Sequence, residues 1–101
     1  MSKKLYIDTR DNQKTIVGLN HERLEKATGP DKSQQVLSLV DEILKKNKTK
    51  LEDLTEIEVE TGPGSFTGIR VGITVAQTLG WALKIPLNGG KPGEPVEPKY
   101  D

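Results

Sequence analysis

Residues Thr55 to Thr61 alternate strictly, with Ile57 and Val59 on one side and Glu56, Glu58 and Glu60 on the other. A strand buried on both faces reads as continuously apolar, and this one does not. The same one-sided alternation recurs in residues 4–8, with Leu5 and Ile7 against Lys4, Tyr6 and Asp8, and again at Thr15, Val17 and Leu19. A weaker strand over 22–28 follows the tight Asn20-His21 connection and closes at Gly29-Pro30. The pattern predicts a sheet covered by helices on one face only. The glutamates read as a solvated face rather than a metal or acid–base site, since no His or Asp stands beside them on the strand.

The covering helices are legible too. Asp31 with Gln34 three residues later is a capping-box pattern, with Ser33 as the alternative cap. Val36, Leu37, Leu39, Val40, Ile43 and Leu44 fall within an arc of about 160° at helical spacing. The spacing predicts a helix over 33–48, its last turns carrying Lys45, Lys46 and Lys48, where the dipole favours cations. A second helix is expected over 67–84. Its apolar and small residues span about 200°, wider than one sheet requires. Gly68, Gly72, Ala76 and Gly80 recur every four residues and form a small-residue stripe, a groove for close approach by another helix or strand. Packing on the chain's own sheet is the plainer explanation of part of it. Trp81 falls on the opposite arc among Arg70, Thr74, Gln77 and Thr78, as a surface anchor for a partner.

Between strand and second helix lies Thr61-Gly62-Pro63-Gly64-Ser65-Phe66-Thr67-Gly68-Ile69-Arg70. A glycine-rich strand-to-helix turn can cradle phosphate, but this one matches no standard pattern. No lysine lies between Lys50 and Lys84, which excludes a Walker loop, and Gly68 comes one residue late for a dinucleotide fingerprint. Pro63 stands where a nucleophile elbow needs glycine. The single histidine, His21, lies on a distant turn, and there is no cysteine. Catalytic and metal-ligating residues are therefore expected to be absent.

Three segments carry a resemblance: Leu5-Tyr6-Ile7-Asp8-Thr9, Ser33-Gln34-Gln35-Val36-Leu37, and the string Thr61 to Arg70. They resemble bacterial TsaB, the YeaZ-type, glycoprotease-like family that serves threonylcarbamoyladenosine synthesis on tRNA. The likeness covers residues 3–88 and continues through Ala76, Leu79, Ala82, Leu83, Ile85, Pro86 and Leu87. It implies an α+β (α/β) fold: one actin-like, ribonuclease-H-type lobe with a mixed sheet of four to five strands, the last near Pro86 to Asn88, and two helices on one face. It further implies a non-catalytic subunit that binds a TsaD-like catalytic paralogue through helices 33–48 and 67–84 in a four-helix bundle, with a TsaE-like ATPase as a further partner. Interface candidates on this mapping are Val36, Val40, Ile43, Phe66, Thr67, Gly68, Arg70, Gly72, Ala76 and Trp81. Asp8 and Thr9 are the weak remnant of a nucleotide site, and no cofactor is expected on this chain alone. Arg10 and Lys32 depart from the family at that remnant, and Trp81 replaces a residue usually small.

Two other readings compete: a self-associating homodimer that has left the tRNA pathway, and a vestigial ATP-binding or protease-like enzyme. Lys+Arg and Asp+Glu both number 15, so the zero net charge argues against direct tRNA binding. The start of the chain lacks the apolar run of a secretory signal, and no stretch reads as membrane-spanning, so a cytoplasmic location is expected. Residues 1–88 are expected to form a stand-alone first lobe of the family, with 89–101 a disordered Pro/Gly-rich tail.

Overall fold

The computed structural model describes residues 2–99. The elements are β1 (Lys4–Asp8), β2 (Lys14–Leu19), β3 (Glu22–Ala27), α1 (Lys32–Lys46), a short 3-10 turn (Leu51–Asp53), β4 (Glu56–Val59) and α2 (Phe66–Leu83). The sheet runs in the order β3-β2-β1-β4, with β1 antiparallel to β2 and parallel to β4. Antiparallel neighbours need only tight turns, and Asn20 supplies one by taking φ 54° between β2 and β3. The parallel pair needs a long crossover, and α1 provides it.

Register builds the core. Leu5 stands between Leu19 and Ile57, and Ile7 between Val17 and Val59, so six apolar side chains make one patch on one face. Helix α1 lowers Val36, Leu39 and Ile43 onto β2, and α2 lowers Ile69, Ile73 and Ala76 onto β1 and β4, all of them buried. Both helices lie on this face, as the alternation predicts. The other face is polar and partly solvated: Lys4 pairs with Glu58 at 2.5 Å, Tyr6 donates to Glu60 at 2.7 Å, and the Arg23 guanidinium lies 4.3 Å from the centre of the Tyr6 ring.

Helix boundaries follow their caps. The Asp31 carboxylate accepts from the Gln34 N–H at 3.1 Å, so α1 begins at Lys32. It ends two residues before the expected Lys48, because Asn47 turns its side-chain amide back onto the Ile43 carbonyl and Lys48 takes φ 51°. Ser65 caps α2 by accepting from the Gly68 N–H, so the helix begins at Phe66, one residue ahead of the expected start. The expected fifth strand is reduced to one parallel bridge, Ile57 to Leu87. Beyond it, the Asn88 side chain substitutes for a strand by bonding both the N–H and the carbonyl of Val59.

The described part of the expected tail runs back along α2, with Val96, Glu97 and Pro98 beside Arg70, Ile73, Thr74 and Gln77. Val96 packs against the core, and a Cβ on Gly93 would lie 3.2 Å from the Trp81 ring. The Lys99 N–H donates to the Thr61 carbonyl at 2.6 Å. The end of that expected tail, Tyr100 and Asp101, lies outside the described residues, as does Met1. Among the described residues, no helix is long and apolar enough to cross a membrane.

Ile57 is the pivot of this arrangement, buried between β1, α2 and the Leu87 bridge. Ile57→Ala is expected to lower stability by about 2–5 kcal/mol, measured by urea unfolding.

Candidate functional site

The Thr61–Arg70 turn delivers α2 onto the loop that follows β1. The Ser65 N–H donates to the Arg10 carbonyl at 2.8 Å, and the Thr9 hydroxyl donates to the Gly68 carbonyl at 2.5 Å. The glycines permit this approach. A Cβ at Gly64 would collide with Arg10, one at Gly68 with the Thr9 carbonyl, and one at Gly72 with the Thr9 hydroxyl. The small-residue stripe is thus filled from within the chain, by Thr9 against Gly68 and Gly72 and by Ile85 and Leu87 beside Gly80. The groove expected there for a partner does not exist.

The ten interface candidates separate by burial. Gly68, Gly72 and Ala76 face inward, and Val36, Val40 and Ile43 are buried in the lobe's own core. Apolar periodicity marks the side of a helix that is covered, and here the sheet does the covering. Of the ten candidates, Phe66, Thr67, Arg70 and Trp81 are at the surface. Phe66 is 59% exposed, and its ring lies 5.6 Å from the Arg70 guanidinium. With Ser33 of α1 and with Val71, Thr74 and Val75 of α2, Phe66, Thr67 and Arg70 line a shallow, mostly apolar groove where the two helices meet. Trp81, 72% exposed, is fifteen residues further along α2, about 22 Å at helical rise, and lies beside the returning tail rather than in the groove.

Sequence reasoning missed Val71, Thr74 and Val75 as groove residues, and Leu37, which is 45% exposed on the outer side of α1. The signal was present: Val71 and Val75 are one turn apart, and both lie off the glycine stripe.

Asp8 and Thr9, the weak nucleotide remnant, are already committed within the fold. Thr9 is fully buried under α2. The Asp8 carboxylate accepts three hydrogen bonds from Arg10, one from the backbone N–H and two from the guanidinium, each at 3.0 Å. Burial alone would raise the Asp8 carboxyl, but these bonds and the Arg10 charge outweigh it and hold Asp8 below the ordinary carboxylate range. Burial, followed by the bond to Glu60, pushes the Tyr6 phenol well above its ordinary value, so it stays a donor. Among the described residues, no cluster of three or more His, Cys, Asp or Glu is placed to hold a metal.

Comparison with known proteins agrees with this architecture. The family profile described as "TsaD: tRNA N6-adenosine threonylcarbamoyltransferase" matches residues 26–89. The TsaB biosynthesis protein of Escherichia coli is 40% identical over 57 residues, which is 56% of this chain and 25% of that protein. Its Bacillus subtilis counterpart is 54% identical over 37 residues, 37% of this chain and 16% of the relative. The solved structure of YeaZ from Pseudomonas aeruginosa superposes with a TM-score of 0.75 at 32% identity, covering 86% of this chain and 42% of that one. The chain belongs to the threonylcarbamoyltransferase family and is of its TsaB/YeaZ type. It spans less than half of that solved structure, and its matches cover about a quarter or less of those curated relatives.

Two predictions follow from the seat of α2. Gly72→Ala, stabilising in an unconstrained helix, is expected to cost about 1–3 kcal/mol through its collision with Thr9. Thr9→Ala in the same chain should recover part of that loss in a urea double-mutant cycle. The second concerns acid. The folded Asp8 carboxyl titrates below its unfolded value, so its stabilisation is full above the unfolded pKa and is lost as pH falls through the folded one. The stability gap between the wild type and Asp8→Asn should hold steady at neutral pH and shrink from about pH 5 downward.

Proposed function

We propose that this chain is a non-catalytic interaction lobe that supports threonylcarbamoyladenosine modification of tRNA by binding a TsaD-like paralogue. The relatives are named for threonylcarbamoyladenosine biosynthesis, and the family profile for the transferase itself. The carrying observation is the outer surface of α1 and α2, where Phe66 and the Val71–Val75 pair line an apolar groove that the lobe's own core leaves open. A partner helix lying there buries apolar area at the centre and meets Arg70 and Thr67 at the rim, the usual layout of a protein interface. The sheet-facing residues take no part, because they are consumed in holding the lobe together. On this reading the chain acts without a cofactor of its own, and tRNA is gripped by the rest of the complex.

The test is co-purification with the TsaD-like paralogue from the same genome. Thr74→Arg, an exposed substitution inside the groove, is expected to weaken the complex about ten-fold or more while leaving the circular dichroism spectrum unchanged. Binding that survives Thr74→Arg and Phe66→Glu unchanged would show that the partner sits elsewhere. Gly72→Leu is unsuited to this purpose, since it would unseat α2 from Thr9.

A further inference from the structure

Two turns bring the chain back onto α2 after Leu87. The first closes with the Gly90 N–H on the Leu87 carbonyl at 2.9 Å, with Asn88 and Gly89 at positive φ. The second closes with the Glu94 N–H on the Lys91 carbonyl at 3.0 Å, with Gly93 at φ 82°. From there the segment runs against the direction of the helix. Gly93 passes Trp81, Val96 to Pro98 lie beside Ile73 and Thr74, and the Lys99 N–H reaches the Thr61 carbonyl. Gly62, at φ 117°, makes room for this end, since a Cβ there would collide with the Lys99 carbonyl. An extended chain covers about 3.3 Å per residue against about 1.5 Å in a helix, so Gly93 to Lys99 is long enough to follow α2 from Trp81 to Arg70.

The segment and the partner groove share a wall. Arg70 and Thr74, one turn apart, line the groove with Phe66 and Val71 on one side. On the other side the same two residues line the crevice that holds Val96, Glu97 and Pro98. A helix is about 10 Å across, so one seated in the groove overhangs this single ridge of side chains. We propose that residues 91–99 are a strap over the far half of the partner surface, displaced when the TsaD-like paralogue docks. Ile73 and the Trp81 ring lie against the strap, apolar groups of the kind that anchor interfaces. With the strap away, they extend the apolar lining of Phe66, Val71 and Val75 across the ridge.

The hold is light enough to release. Pro92, Pro95 and Pro98 have no N–H to give, and Lys99 supplies the backbone bond that ties the end of the segment to Thr61. Val96 is the apolar anchor, half-buried at the edge of the core. Segments with few buried contacts open well below the free energy of global unfolding. A strap that is open about one-tenth of the time weakens the apparent affinity about ten-fold relative to the bare surface. The strap thus sets how readily the lobe is taken up, a role it has only if the paralogue binds the outer groove.

Two substitutions in the full chain loosen the strap at separate points. Val96→Ser removes the anchor, and Gly93→Val drives a side chain toward Trp81 at a positive φ. Each should bind the paralogue about three- to ten-fold more tightly by isothermal titration calorimetry, with the circular dichroism spectrum unchanged. Hydrogen exchange gives a second readout. The Lys99 amide, slowed in the free chain by its bond to Thr61, should exchange faster in the complex while the α2 amides stay protected. Unchanged or weaker binding by both variants, or a Lys99 amide still slow in the complex, would overturn the strap and leave the partner groove intact. A paralogue that binds neither the wild type nor the variants would overturn both.

Discussion

The hydroxyl of Thr9 fixes where α2 lies. It donates to the Gly68 carbonyl from a fully buried position, and Gly72 one turn later has no side chain so that Thr9 can fit. Helix interiors pay for glycine in stability, so a glycine at both positions is intelligible only if something close must pass. What passes is the end of β1. With α2 pinned there, Ile69, Ile73 and Ala76 fall on the sheet, and the remaining arc of the helix turns to solvent. The position of that outer arc, and so of the groove with α1, is a consequence of the seat.

The same seat settles the neighbouring loop. Arg10 lends its carbonyl to Ser65 and its guanidinium to Asp8, so one residue joins the α2 turn to the polar side of the sheet. From Asp8 the network passes to Tyr6 and Glu60 on that side. A face that lacks a covering helix is kept soluble by bonded charges rather than left as bare apolar strand, and the one-sided alternation of β4 is the sequence form of that condition. The lobe therefore has a buried face, a polar face and an outer helical surface, each with a different task.

Much of this is legible in residue order because much of it is local. Alternation located the strands, and Asp31 located the start of α1 to within one residue. Long-range partners were not legible. The glycine stripe announced a close approach, but nothing in its spacing distinguishes a partner helix from Thr9, which is about sixty residues away in the chain. Val96 is one apolar residue in a Pro/Gly run, with no period to betray that it packs on the core. The 3-10 turn at Leu51–Asp53 is too short to show a pattern, and it forms because the Asp53 carboxylate reaches back to the Lys50 N–H. Of the candidate site, the exposed Phe66 and Arg70 were readable; the sheet-facing half of the same helix carried an identical signal for a different reason.

Thr9 occupies the glycine stripe, and on the proposed function the outer arc of α2 receives the partner. Nuclear Overhauser contacts between the Thr9 methyl and the Gly72 α-protons, recorded with and without the TsaD-like paralogue, test it directly. They should be strong in the free chain and unchanged in the complex, while the Phe66 ring signals shift on binding. Absence of the contacts in the free chain, or their replacement by contacts from Gly72 to the partner, would contradict it.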